Sequence, residues 1–207
     1  MLKIYGNTTR PVEELNTIIS ATSGCEEKTL KKWQRISTED SGYIYVIVSG
    51  EVEFRRESDE LCVFTLTEKC LFGFSSAYCN SQHMYGLVRA DTVVRRIKKD
   101  EFSTLMHEHG LWEELMKVLS WYISLLSKRD DVLIARSAYS IVREFLLEID
   151  QLIVQYQRNV NIYDYIQEYT NLARSTIIKI LADLKKGGYI VVEKGRLLNI
   201  TSLPEKY

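Results

Sequence analysis

Proline and glycine are scarce: two and ten in 207 residues, too few for a chain that stays unfolded or works as a flexible linker. No run of 18 apolar residues occurs, so no membrane-spanning helix is expected. The opening MLKIYGNTTRPVEEL has neither an apolar core nor a cleavage pattern, so a cytoplasmic protein is expected. The four cysteines, Cys25, Cys62, Cys70 and Cys79, contain no C-x-x-C pair and read as reduced thiols. Histidine is limited to His83, His107 and His109, and the last two point to different sides of a helix. No metal site and no other cofactor is expected from these parts. There is no glycine-rich phosphate loop and no catalytic constellation, so an enzyme has no supporting feature. Charge of one sign is also missing, because the chain sums to −1. Any attraction to a polyanion must therefore be local.

What is present is most informative over residues 161–188, NIYDYIQEYTNLARSTIIKILADLKKGG. Ile162, Tyr165, Ile166 and Tyr169 recur at helical spacing and predict a first helix. Thr170, Asn171 and Leu172 form the turn, with Asn171 expected at positive φ. A second helix begins near Ala173, with Leu172, Ile177, Ile180, Leu181 and Leu184 inward and Arg174, Ser175, Ile178 and Lys179 outward. Lys185 and Lys186 followed by two glycines end it. Residues 189–193 and 196–200 then read as a hairpin turning at Lys194 and Gly195. Two helices and a hairpin make a winged helix-turn-helix. From Asn171 to Ile200 six residues are basic (174, 179, 185, 186, 194, 196) and two are acidic (183, 193), a local excess on a nearly neutral chain. Such a unit binds duplex DNA when the front of its second helix enters the major groove. Arg174 and Lys179 are placed for base edges, Ser175 and Thr176 for a base or a phosphate, and Lys194 and Arg196 for phosphates.

Upstream, residues 11–32 predict short helices. Val12, Leu15, Ile18 and Ile19 form one face, and residues 25–33 a second short helix. From about 33 to 97 the pattern is of strands, over 43–48, 51–55, 62–66, 87–90 and 93–97, as in a sandwich or barrel. A long helix follows at 111–134. Leu111, Leu115, Val118, Tyr122, Leu125 and Val132 step by fours and threes, with Arg129 in the seam. This heptad stripe predicts a homodimer interface. Residues 133–137 read as a hinge and Ser137 as the N-cap of a helix over 138–157.

Residues 45–52, YVIVSGEV, together with Phe72-Gly73, the run Val88 to Thr92 and Lys99 to Phe102, resemble the CRP/FNR superfamily of transcription regulators, and the resemblance covers nearly the whole chain. It implies an α+β protein: a cyclic-nucleotide-binding-like β-roll over 1–110, a dimerisation helix over 111–134 and a winged helix-turn-helix over 137–207. It places Arg174, Ser175 and Lys179 at base-contacting positions. Gln167, where a small residue is usual, and Ser175, where the cyclic-AMP branch has an acid, imply an altered site preference. Members that bind cyclic nucleotides carry an acid after the Phe-Gly glycine and an Arg-Ser pair. Here those positions are Phe74, Met84 and Tyr85. With no cation left for a phosphate, the pocket is expected to be degenerate and filled by these side chains. An iron–sulfur cluster is not expected either, because the early cysteine cluster is missing. Among subgroups the chain looks most like small enterobacterial regulators tied by name to peroxide resistance.

The expected function is a homodimeric, sequence-specific regulator that binds a pseudo-palindromic operator and ignores cyclic nucleotides, with RNA polymerase as a further implied partner. Two alternatives stand beside it: a thiol-based redox sensor, and a protein-binding adaptor that no longer contacts DNA.

Overall fold

The computed structural model describes residues 10–37 and 42–205. They fall into two compact units that meet in sequence at Ser124 and Leu125.

The first unit opens with α1 (Val12–Ala21), which buries Leu15, Ile18 and Ile19. Val12, expected on the same face, is exposed. Residues 25–33 do not form a second helix: β1 (Glu27–Leu30) pairs antiparallel with the edge of β8 (Thr92–Lys98), so the ladder satisfies backbone groups that a lone short helix would leave open. Then come β2 (Arg35–Ile36), β3 (Tyr43–Ser49), β4 (Glu51–Arg56), β5 (Cys62–Thr67), β6 (Cys70–Phe72), α2 (Phe74–Cys79) and β7 (Met84–Val88). One four-stranded sheet runs β1-β8-β3-β6 and the other β2-β7-β4-β5. The strands expected from the sequence are present. The run expected over 87–90 is shifted to Met84–Val88, because β7 pairs along β4 from Val88 back to Met84.

Alternation along the strands divides the apolar residues into two cores. Tyr45 and Phe72 of one sheet and Phe54 and Phe64 of the other meet between the sheets, with ring centroids 4.8–6.3 Å apart. Ile44, Val46, Leu71 and Ile97 point the other way, onto α1, α3 (Lys99–Glu108) and the start of α4 (Trp112–Leu133). Phe102 and Met106 of α3 are wholly buried there, and each contributes about 1.5–3 kcal/mol by leaving water.

This packing draws on the predicted heptad stripe. Leu111, Leu115 and Val118 belong to the first unit's own core. Leu125 and Val132 are buried too, and the half-buried Tyr122 accepts a hydrogen bond from the Leu71 amide at 2.9 Å. Most of the stripe is thus taken up by packing within the chain, with Tyr122 left half-buried. What α4 leaves in solvent is a second stripe one position on: Trp112, Met116, Ile123 and Leu126 are exposed and Leu119 is half-buried. Their steps are again four, three, four and three.

In the second unit, α5 (Ala138–Tyr156) starts at Ser137, whose hydroxyl accepts from the Ser140 amide. Its buried face of Val142, Phe145, Leu146 and Ile149 carries α6 (Ile162–Tyr169), α7 (Arg174–Lys186) and the hairpin of β9 (Ile190–Glu193) and β10 (Arg196–Ile200).

Candidate nucleic-acid interface

The second unit is built to hold one helix still. Asn161 caps α6: its side-chain oxygen accepts from the amides of Tyr163 at 3.0 Å and Asp164 at 3.4 Å. Ile162, Tyr165, Ile166 and Tyr169 are all buried, as the spacing predicts. Tyr165 and Tyr169 lie against Phe145 of α5, with centroids 6.1 and 6.0 Å away. The turn differs from expectation. Asn171 is not at positive φ; the turn is instead flanked by Thr170 and Ala173, both in extended conformation. Thr170 makes this possible: its buried hydroxyl donates to the Ile166 carbonyl at 2.8 Å and accepts from the Leu172 amide at 3.4 Å. A side chain thus supplies the bonds a left-handed residue would have supplied.

In α7, Ile177, Ile180, Leu181 and Leu184 are buried, Leu172 before it is half-buried, and Arg174, Ser175, Ile178 and Lys179 are exposed. Thr176 is half-buried. Ala173, the N-cap, offers no side-chain acceptor. Among the described residues the amides of Arg174 and Ser175 have no partner, so the positive end of a 13-residue helix faces solvent with two open donors. At the other end the Tyr189 amide bonds to Leu184 and the Gly188 amide to Lys185, with Gly188 at φ +73°. This six-to-one and five-to-two pair needs a left-handed residue and stops the helix.

The hairpin turns through Lys194 (φ +49°) and Gly195 (φ +78°), two left-handed residues whose twist suits antiparallel strands. It is tied back to α6: the Ile162 amide donates to the Gly195 carbonyl at 2.9 Å, and Asn161 bridges to Arg196. A Cβ on Gly195 would lie 2.6 Å from Nδ2 of the Asn161 side chain. Lys194 and Arg196 are exposed. Among the described residues no ion pair engages Arg174, Lys179, Lys194 or Arg196, so four exposed cations on α7 and the hairpin have no carboxylate bonded to them. The cap Asn161 and the bare helix start were not singled out in the sequence; a polar residue just before an apolar helical period is the signal for the first, and an alanine at the cap position for the second.

Residues 138–205 match the family model for winged helix-turn-helix DNA binding. Among solved structures, the c-di-GMP responsive global regulator CLP of Xanthomonas campestris is 11% identical, with a TM-score of 0.72 over 90% of this chain and 100% of that one. FixK2 from Bradyrhizobium japonicum is 20% identical, with a TM-score of 0.61 over 86% and 93%. A transcriptional regulator of the CRP/FNR family from Eubacterium rectale is 16% identical, with a TM-score of 0.67 over 91% and 90%. The chain has the CRP/FNR regulator fold. Two relatives in sequence are both called inhibitor of hydrogen peroxide resistance. The Escherichia coli K12 protein is 28% identical over 83% of this chain and 82% of its own length. The Salmonella typhimurium protein is 25% identical over 82% of each.

In the cyclic-nucleotide-binding-like domain of this CRP/FNR fold, the three residues expected to fill the pocket go to three different places. Phe74, at the start of α2, packs edge-on against Phe102 at 5.8 Å, in the core between sheet and helices. Tyr85 sits opposite Arg55 on β4, on the face of its sheet away from Phe54, beneath the Arg35 guanidinium at 3.6 Å. Met84 is opposite Arg56 at the strand's end and half-buried. The space between the sheets is filled instead by Tyr45, Phe54, Phe64 and Phe72. Toward the β1 and β2 edges the roll opens into a cleft of about 570 Å³ lined by Lys28, Arg35, Tyr43, Tyr45 and Arg96 among others. The thiols are scattered. Cys62 and Cys70 are buried, Cys25 is half-buried and Cys79 is exposed. Burial pushes the Cys70 thiol up to about 12, and burial and the Glu101 carboxylate raise Cys25. Among the described residues no three His, Cys, Asp or Glu side chains lie together as a metal cluster would, and no helix is long and apolar enough to cross a membrane.

Proposed function

We propose that this chain is a homodimeric, sequence-specific DNA-binding regulator of transcription. The observation that carries the reading is the set of four exposed cations, Arg174, Lys179, Lys194 and Arg196, on a winged helix-turn-helix within a chain of net charge −1. Arg174 and Lys179 read or orient on base edges, Ser175 and Thr176 contact a base or phosphate, and Lys194 and Arg196 hold phosphates. The open amides at the start of α7 are a further phosphate site. The division of labour is a roll over 1–110, a dimerisation helix over 111–134 and a DNA unit over 137–207.

The dimer forms through the exposed stripe of α4, not the buried one. Trp112, Met116, Ile123 and Leu126, with the half-buried Leu119 between them, present a heptad seam to solvent, and a second copy of the same seam is its self-complementary partner. Two DNA units brought together suit a pseudo-palindromic operator with half-sites about 34 Å apart. The roll does not respond to cyclic nucleotides, because Phe74 stands where a ribose-binding acid is required and lies in a packed core. RNA polymerase as a further partner rests on the family resemblance alone. The name shared by the Escherichia coli and Salmonella relatives supports peroxide resistance as the regulated response.

Titration of the full chain into random duplex DNA at rising salt tests the reading. Affinity falls steeply with salt, and replacing Lys194 or Arg196 by Ala lowers the slope of log K against log salt by about one each. No binding at low salt rejects DNA binding in favour of a protein-binding adaptor. Cyclic AMP leaves the affinity unchanged.

A further inference from the structure

Ile178 is an exposed branched apolar residue on the face of α7 that otherwise shows Arg174, Ser175 and Lys179. It lies one helical turn beyond Arg174 and three residues beyond Ser175, a neighbour of both on the helix surface. Ile178 is 45% exposed while Ile177 beside it is fully buried, so much of its apolar surface meets solvent rather than the core. Helix propensity does not explain it either, since isoleucine is a weaker helix former than the alanine, lysine or glutamate an exposed site would ordinarily take. The major groove displays one apolar group among its donors and acceptors, the 5-methyl of thymine. We infer that Ile178 is a specificity-determining residue that packs on a thymine methyl, so that α7 reads a guanine through Arg174 and a thymine through Ile178.

The geometry narrows the site. Four residues advance about 6 Å along a helix, and base pairs are spaced about 3.4 Å along the duplex. The thymine therefore lies one or two base pairs from the guanine read by Arg174. The inference rests on the DNA-binding reading and fails separately from it.

The test starts from duplexes selected by the full-length protein out of a random pool. Each thymine of the selected half-site is replaced in turn by deoxyuridine, which removes the methyl and nothing else. Affinity is measured for the wild type, for Ile178→Ala and for Ile178→Val. One replacement close to the guanine weakens the wild type about three- to tenfold, as loss of a buried methyl does. The same replacement leaves Ile178→Ala unchanged and has an intermediate effect on Ile178→Val. Binding to random DNA stays the same for all three, which confirms that the variants are folded. If no thymine responds, or if the response is equal in wild type and Ile178→Ala, the inference is overturned while DNA binding stands. If no duplex is selected at all, the DNA-binding reading falls and the inference with it.

Discussion

Arg174 and Glu53 are charged residues with opposite fates. Arg174 is exposed and unpaired, so its replacement costs the fold nothing and falls entirely on the ligand. Arg174→Ala should weaken operator binding by about 1–3 kcal/mol and relax base preference, read by competition between selected and random duplexes. Equal loss on both would make it a phosphate contact. Glu53 is 3% exposed; Arg55 donates to one carboxylate oxygen at 2.9 and 2.6 Å and Arg89 donates to the other at 3.0 Å. Removing a buried acid leaves two guanidinium groups without their counter-charge, so Glu53→Gln should lower stability by about 3 kcal/mol in urea unfolding. Among the thiols, only accessible ones react. Ellman's reagent on the folded protein should label Cys79 first and Cys25 slowly, with Cys62 and Cys70 reacting only on unfolding. Rapid reaction of Cys70 would return the redox-sensor reading to the front. Exposure and partner are what separate these residues, and neither is a property of residue type.

At the scale of elements, α4 carries two heptad stripes one residue apart, and only packing distinguishes them. Leu115→Ala should destabilise the first unit by about 2–5 kcal/mol, because it empties a packed site. Met116→Glu with Ile123→Glu should leave helical content intact and turn a dimer into a monomer in sedimentation equilibrium. A dimer that survives the pair of charges would put the interface elsewhere. The winged unit was the most legible part of the chain. The apolar period of α6, the inward residues of α7 from Ile177 on, the Ser137 cap and the hairpin turn at Lys194 and Gly195 all depend on neighbours within a few residues. The turn was misread for the same reason in reverse. Asn171 has the composition of a left-handed residue, yet the Thr170 hydroxyl made such a residue unnecessary.

For the molecule as a whole, buried groups that ionise late couple stability to alkaline pH. The Cys70 thiol titrates at about 9.0 in the open chain and at about 12 in the fold, where it is buried. Between those values the unfolded state alone loses the proton, so stability is untouched below pH 9 and falls as pH rises through this window. Burial also raises the Tyr122 hydroxyl, which adds to the fall above its ordinary value of 10.0. Cys70→Ala should flatten the decline in urea midpoints measured from pH 8 to 11.

By itself the amino-acid sequence determined the strand-rich first part, the long helix, the winged helix-turn-helix and the local excess of positive charge, because periodicity, turn residues and charge are properties of near neighbours. Only the tertiary structure decided which stripe of α4 is spent inside and which is left outside. It also sent Phe74 and Tyr85 to opposite sides of the sheets, and it folded residues 27–30 as a strand on the β8 edge. Those outcomes turn on contacts between residues tens of positions apart. A side chain's identity does not say which of two equally apolar faces will find the partner first.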